Sequence, residues 1–364
     1  MSNQSELAQL ASVFAGSALS NRNMVINGGM TVAQRSSSVA SQTSTNGYTT
    51  CDRWHLQMNS SGTFTVSQST TAPEGFANSF KIDCTTADAS PDYLILSYRF
   101  EGQDLQRIKK GTASAESLTL SFWVRSSKTG TYQVNLQDID NTRNIGATYT
   151  ISSADTWEYK TVTFAGDTTG SLDNDNANSL NVEWWLASGT TFNSGAVPTS
   201  WEAKSNADRA AGLDVAIGAS ISDDFYITGV QLEIGDTSTP FEHIPYSDQL
   251  ARCQRYFYQL VDGANQSMGT GGYYASTLFI LGVDHPVPMR AKPTASITSG
   301  TSYYRIWRNS TSEYCSLSTA THHSNSTTDH SIFDMTGDIS GPVGYFGRML
   351  SNSSSANVYL DAEL

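Results

Sequence analysis

Residues Asp223–Tyr258 read DDFYITGVQLEIGDTSTPFEHIPYSDQLARCQRYFY, and the pattern changes twice along them. In the first part Tyr226, Thr228, Val230, Leu232 and Ile234 alternate with Phe225, Ile227 and Gly229. That period of two places a strand's side chains on opposite faces. Gly235 and Pro240 end the pairing, because glycine accepts a left-handed backbone and proline lacks a ladder donor. After Pro245 the apolar positions Leu250, Cys253, Tyr256, Phe257 and Leu260 recur at three and four, the spacing of a short helix. One β domain therefore ends here, and a second unit begins at about residue 247.

Upstream, strand patterns follow one another at short intervals. Phe64 and Val66, Phe80 and Ile82, and then Tyr93–Phe100 come first. Ser117–Arg125, Tyr132-Val134-Leu136, Trp157–Phe164 and Leu180–Leu186 follow, with turn residues at Gly130, Asp155, Gly166-Asp167, Gly189 and Gly195. Many short strands with almost no helical pattern between them predict an all-β fold, an antiparallel sandwich over 51–246. The exception is Ala207–Leu213, which has no period of two and reads as a helical turn or an ordered loop. Downstream, Tyr273–Val283, Ala295–Ile297, Tyr303–Trp307, Tyr314–Leu317, Val343–Phe346 and Val358–Leu360 predict a smaller C-terminal β domain over 247–364. Its long polar loops, such as Thr321–Asp329 and Ser351–Ser355, suit recognition. At the other end, Leu7, Leu10 and Phe14 fall on one face of a short helix, so 1–22 reads as an attachment segment. Residues 23–50 show little periodicity and read as an extended arm.

Composition narrows the function. Charged residues make up 15% of the 364, against about 25% in an average soluble protein. Ser, Thr, Asn and Gly fill the difference, as in β-rich extracellular and virion proteins. A net charge of −13 argues against nucleic acid, which needs a basic stripe to replace counterions, and against an anionic membrane surface. No apolar run is long enough to insert in a membrane, and the N-terminus lacks the pattern of a secretory signal. Cys51, Cys84, Cys253 and Cys315 form no CxxC pair and read as buried thiols of a protein assembled in a reducing cytoplasm, and a surface-like composition then fits release by lysis.

Several stretches resemble a family of bacteriophage virion proteins. They are Gly229–Gly235 with Thr239–Glu242 and Cys253–Tyr256, the opening Asn23–Met30 with Gln34-Arg35, and Pro288–Thr294. The family comprises tail-fibre, capsid-fibre and carbohydrate-binding-module-like structural proteins. Trp157–Phe164 and Asp224–Leu232 also resemble strands of jelly-roll carbohydrate-binding modules. The resemblance implies a non-enzymatic virion protein, a tail fibre that attaches the particle to host-surface glycan. The alternatives are a capsid fibre or capsid decoration protein and, further off, a polysaccharide depolymerase. It also implies a homotrimer whose N-terminus docks on another phage structural protein.

Strand parity predicts where glycan would bind. With Leu118, Leu120, Phe122 and Val124 inward, Trp123 and Arg125 point out; likewise Gln133, Asn135 and Gln137, and then Glu183 and Trp185. Flat rings stack on the apolar face of a pyranose while amides and carboxylates bond its hydroxyls. The competing expectation is that these tryptophans cover another domain or a sister subunit. A glycosidase would need two carboxylates set about 5–9 Å apart, and none of Glu183, Glu233, Glu242, Asp223 or Asp224 lies in a motif that specifies such a pair. No cofactor is expected. Asp155 and Asp167–Asp175 are where a structural calcium would sit, although Asp173-Asn174-Asp175 is simplest as a turn. His322-His323 with Asp329-His330 matches no zinc spacing and reads as a polar loop.

Overall fold

The computed structural model describes residues 21–308, 311–315 and 317–364. The expected attachment residues Leu7, Leu10 and Phe14 lie outside them. The chain divides into two compact units: one runs to Gln249 and includes Leu364, the other is Leu250–Glu363.

Unit 1 contains β1 (Ser38–Tyr48), β2 (Trp54–Ser69), β3 (Ser79–Thr86), β4 (Tyr93–Glu101), β5 (Leu118–Ser126) and β6 (Gly130–Asp138). It continues with β7 (Arg143–Ile151), β8 (Glu158–Phe164), β9 (Asn178–Ser188), the short helix α1 (Thr190–Asn193), β10 (Glu202–Ala203) and β11 (Asp224–Ile234). The strands pair in the order β10-β7-β6-β9-β4-β2-β3-β11-β5-β8, all antiparallel. Two layers result because β2 bends: Trp54–Asn59 pair with β4, and Thr63–Ser69 pair with β3. Gly62 sits at the bend, where a Cβ would lie 2.5 Å from the carbonyl oxygen of Thr86. The Asp88 carboxylate holds the corner, accepting from Ser60 Oγ and Ser61 N at 2.8 Å each. The fold is an antiparallel jelly-roll sandwich followed by a smaller β domain; the strand spacing predicts the sandwich, and the resemblance implies its jelly-roll form.

Aromatic side chains from both layers meet in the core. Phe122 of one layer makes edge contacts with Tyr149 and Trp184 of the other, at 5.1 and 5.8 Å between ring centres. Trp54, Tyr132 and Phe225 are equally enclosed. Cys51, Cys84 and Cys253 are buried free thiols.

Residues 38–48 of the expected extended arm form β1, hydrogen-bonded along β2. β7 was not legible, because its inward Ile145, Tyr149 and Ile151 are interrupted by Gly146 and Ala147. The parity of β11 also breaks. Gly229 adopts φ +62 and forms a bulge, so Phe225 and Ile227 before it, and Val230 and Leu232 after it, all face the core. Gln231 and Glu233 are thereby turned outward.

That outward pair accounts for the signature residues. Gln231 Nε2 donates to Glu233 Oε1 (2.9 Å), and Gln231 Oε1 accepts from Glu242 N (2.9 Å). Glu233 accepts from Thr239 N (2.8 Å) and Thr239 Oγ1 (2.7 Å). Glu242 in turn accepts from the backbone N–H groups of Asn21 and Asn23. Asn23 reaches back with Oδ1 to Leu232 N (3.1 Å) and Nδ2 to Val230 O (3.0 Å). The opening and closing stretches are thus two halves of one polar fastening beside β11, in which buried backbone groups find side-chain partners.

Unit 2 begins within the helix α2 (Tyr246–Gln254), which is shorter than the apolar spacing predicts. Phe257 and Leu260 belong instead to β12 (Phe257–Asp262), followed by β13 (Ser267–Ala275), β14 (Leu278–Asp284), β15 (Thr294–Ile297) and β16 (Tyr304–Arg308). The remaining strands are β17 (Thr311–Cys315), β18 (Leu317–His322), β19 (His330–Gly337), β20 (Phe346–Ser351) and β21 (Asn357–Asp361). They form a seven-stranded sheet, β17-β16-β20-β13-β14-β19-β18, and a three-stranded one, β12-β21-β15, over a core that includes Tyr273, Phe279, Phe333 and Leu360. The single predicted strand Tyr273–Val283 is a hairpin of β13 and β14.

Candidate functional site

Strand parity turns the predicted residues away from the core, but the two layers treat them differently. In the β6/β9 layer, Gln133, Asn135, Gln137, Glu183 and Trp185 are all buried, between 0% and 5% exposed. The chain's own segment 189–213, which includes the Ala207–Leu213 stretch without a period of two, lies across them. Asn135 Nδ2 donates to the Arg209 carbonyl (2.7 Å), Gln133 Nε2 to that of Asp208 (3.0 Å), and Gly212 N to Gln133 Oε1 (2.7 Å). Arg209 makes a forked ion pair with Glu183, the Nη2 atom lying 2.8 and 3.0 Å from the two oxygens. Its guanidinium also lies over the Trp185 ring at 4.9 Å. Turned to satisfy both neighbours, the Gln137 amide donates to Glu183 (2.6 Å) and accepts from Lys204. The expected sugar face on this layer is therefore an interior: amides and carboxylate that would bond sugar hydroxyls bond the strap instead. Parity shows which way a side chain points, and cannot show what a later loop lays over it.

The β3/β11/β5/β8 layer leaves its outer face open around Trp123 and Tyr159, whereas Tyr226 on β11 is buried at 6% exposed. Trp123 and Arg125, both half-buried, stand there on β5. Register aligns Lys81, Tyr226 and Arg125 in one row across β3, β11 and β5, and Thr228, Trp123 and Tyr159 in the next across β11, β5 and β8. Adjacent strands lie about 4.8 Å apart and successive outward residues about 7 Å apart along a strand, so the two rows form a platform. Trp123 and Tyr159 are 5.3 Å apart between ring centres, and Tyr159 is 43% exposed. Lys81 and Arg125 lie over opposite sides of Tyr226's neighbourhood, 5.4 and 4.9 Å from its ring centre, with Trp157 edge-on at 6.1 Å. Burial, with Asp224 nearby, pushes the Tyr226 phenol above its ordinary range, so it remains a neutral hydroxyl. Asp155 accepts from Arg125 (3.0 Å) and Asp83 pairs with Lys81 (3.0 Å).

The platform continues past the bulge. A Cβ on Gly229 would lie 2.7 Å from Phe76 Cζ and 3.1 Å from Trp123 Cδ1, so the missing side chain lets the two rings close over the backbone. Phe76 then stacks among Phe241 (5.0 Å) and His243 (5.3 Å). Trp157 and Tyr159 were legible by parity against Val162 and Phe164. Tyr226 was not, since its face depends on the bulge, and Phe76 stands in a loop outside any period.

Of the carboxylates considered for calcium, Asp167 accepts from Arg143 Nε (2.8 Å) and Lys110 Nζ (3.0 Å), Asp155 from Arg125 (3.0 Å), and Asp175 from Ala177 N (2.9 Å). His322 contacts Ser331 Oγ (3.0 Å), and His330 contacts Asp284 (2.7 Å). Among the described residues no three His, Cys, Asp or Glu side chains are grouped to hold a metal. Among them, too, no helix is long and apolar enough to cross a membrane.

No family model and no curated protein matches the chain. Solved structures similar to part of it include the enzymatically active domain of tailspike protein 4 of bacteriophage CBA120. That match has 11% identity and a TM-score of 0.32, and covers 59% of this chain and 22% of that one. A family 11 carbohydrate-binding module from Clostridium thermocellum, in complex with a β-1,3-1,4-mixed-linked tetrasaccharide, matches at 11% identity and TM-score 0.27, covering 52% and 91%. The C-terminal family 22 carbohydrate-binding module of Clostridium thermocellum Xyn10B matches at 11% and 0.28, covering 51% and 89%.

Proposed function

We propose that unit 1 binds glycan on the open face centred on Trp123, and that the protein is a structural, non-catalytic component of a phage particle, a tail fibre that attaches to host-surface sugar. The observation that carries this is the aromatic platform of Trp123, Tyr159 and Trp157, with Arg125 and Lys81 flanking the buried Tyr226 ring beside it. The rings of Trp123, Tyr159 and Trp157 supply flat apolar area for pyranose faces, and the cations supply donors at its edge. Asp83 and Asp155 are each paired with a cation, which suits orientation of Lys81 and Arg125 better than acid–base chemistry. The phage-virion signatures support placing this face on a particle, where many weak contacts gain from repetition. In this reading the chain forms a homotrimer and docks on another phage structural protein through its N-terminal segment.

Binding of the full chain to an array of bacterial surface glycans tests the site. Trp123→Ala and Tyr159→Ala should each weaken the recognised glycan about 30-fold, the loss of an aromatic anchor worth ~2 kcal/mol. Unchanged binding in both would overturn the assignment. Cryo-EM of the particle tests the role: density at the tail supports a receptor fibre, and density on the capsid surface replaces it with a capsid fibre or decoration protein.

A further inference from the structure

We infer that the pocket at the end of the aromatic platform is a subsite for the acetamido group of a neutral N-acetylhexosamine. This rests on the glycan-binding reading above and gives it a specificity. The pocket encloses about 180 Å³ and is lined by Phe76, Phe241, His243, Thr31, Glu242 and Gln249, among others. At about 30 Å³ per water, that is room for some six waters, enough for an acetamido group with the adjoining edge of one sugar ring.

Three features fix the chemistry. Phe76, Phe241 and His243 meet pairwise at 4.8–5.3 Å between ring centres, forming an apolar wall suited to a methyl group. Gln249 lines the same pocket from α2; it is 7% exposed, and its Nε2 has no hydrogen-bond partner. A buried donor without a partner is costly, and a ligand carbonyl would satisfy it. Glu242 also lines the pocket; its carboxylate, each oxygen of which already accepts one backbone N–H from Asn21 or Asn23, disfavours uronic acids and other anionic sugars and keeps a second lone pair per oxygen for a hydroxyl or an amide N–H. A methyl, a carbonyl and an N–H on one neutral substituent is an acetamide. Because Phe76 touches both this wall and Gly229 beside Trp123, the pocket and platform can hold adjacent units of one chain.

The probes are the methyl glycosides of N-acetylglucosamine and N-acetylgalactosamine, with methyl glucoside and methyl galactoside as controls. Binding to the full chain is read by saturation-transfer NMR and by titration. At least one acetamido sugar should bind, with its acetyl methyl the most strongly saturated group, and the parent hexoses should bind more weakly. Gln249→Leu should weaken that sugar about 3- to 10-fold, one hydrogen bond's worth, while leaving its parent hexose unchanged. The variant removes an unpartnered polar group, so its melting temperature should stay level or rise. Phe241→Ala should abolish the methyl signal. If neither acetamido sugar binds, or if Gln249→Leu binds them as the unaltered chain does, the subsite is refuted. Array binding lost in Trp123→Ala but indifferent to Gln249→Leu would refute the subsite and leave the platform standing. Indifference to both would refute the two together.

Discussion

Replacing Arg209 by alanine should destabilise unit 1 more than almost any other change outside the core. Its side chain is 13% exposed and that of its partner Glu183 2%, so the pair lies in an interior, not on a surface. Removing the cation leaves a buried carboxylate whose remaining close partner is the Gln137 amide. Breaking a buried ion pair from one side costs about 3–5 kcal/mol. For a unit of this size, each kcal/mol shifts the melting temperature by about 2–4 °C, which predicts a fall of about 6–20 °C. The arginine also covers Trp185, fully buried at 0%, so any opening of the strap should red-shift tryptophan emission at temperatures where β-sheet circular dichroism is intact. The double variant Arg209→Met with Glu183→Gln should recover much of the loss, because an apolar stem over the indole needs no counter-charge. Thermal melts of the unaltered chain, Arg209→Met, Glu183→Gln and their combination form a double-mutant cycle. A fall below about 3 °C for Arg209→Ala, or strictly additive effects in the cycle, would refute the reading of 189–213 as a strap held by a buried pair.

Gly229→Ala should cost about 1–2 kcal/mol from the left-handed backbone alone and displace Phe76 from Trp123, so a melt and the Trp123 emission should both change; an unaltered melt would count against the bulge. Lys110 donates to the carbonyls of Thr169 (2.9 Å) and Gly170 (2.8 Å) while its ammonium bridges Asp138 (2.5 Å) and Asp167 (3.0 Å). Lys110→Met should lower stability by about 3–5 kcal/mol, measured as a lower urea midpoint, and a loss under about 1 kcal/mol would refute its structural role. His55 is held down to about 3 by burial and by Arg99 and Arg53. The folded imidazole refuses a proton that the unfolded chain accepts near 6.5. Its contribution is therefore complete above about pH 6.5 and is lost as pH falls towards 3, at up to ~1.4 kcal/mol per unit. His55→Gln should flatten that slope in urea titrations between pH 7 and 4, and an identical slope would refute it.

Much of this protein is written locally in its chain. Inward Leu118, Leu120, Phe122 and Val124, and Leu180, Val182, Trp184 and Leu186, alternate because a sheet buried on one side demands it, and those strands stand where the pattern predicts. Gly235 and Pro240 mark the exit from β11 for equally local reasons. Tertiary structure decided the rest. A bulge at Gly229 reversed the parity of β11, since one extra residue exchanges the faces of everything beyond it. The strap of 189–213 turned five outward residues into an interior, and a sequence pattern cannot report what a distant segment covers. The open platform and its pocket draw on Phe76, Trp123, Tyr159, Phe241 and Gln249, residues far apart in the chain that only strand order brings together. Direction from the core is a local property of the backbone, whereas exposure and proximity belong to the whole fold.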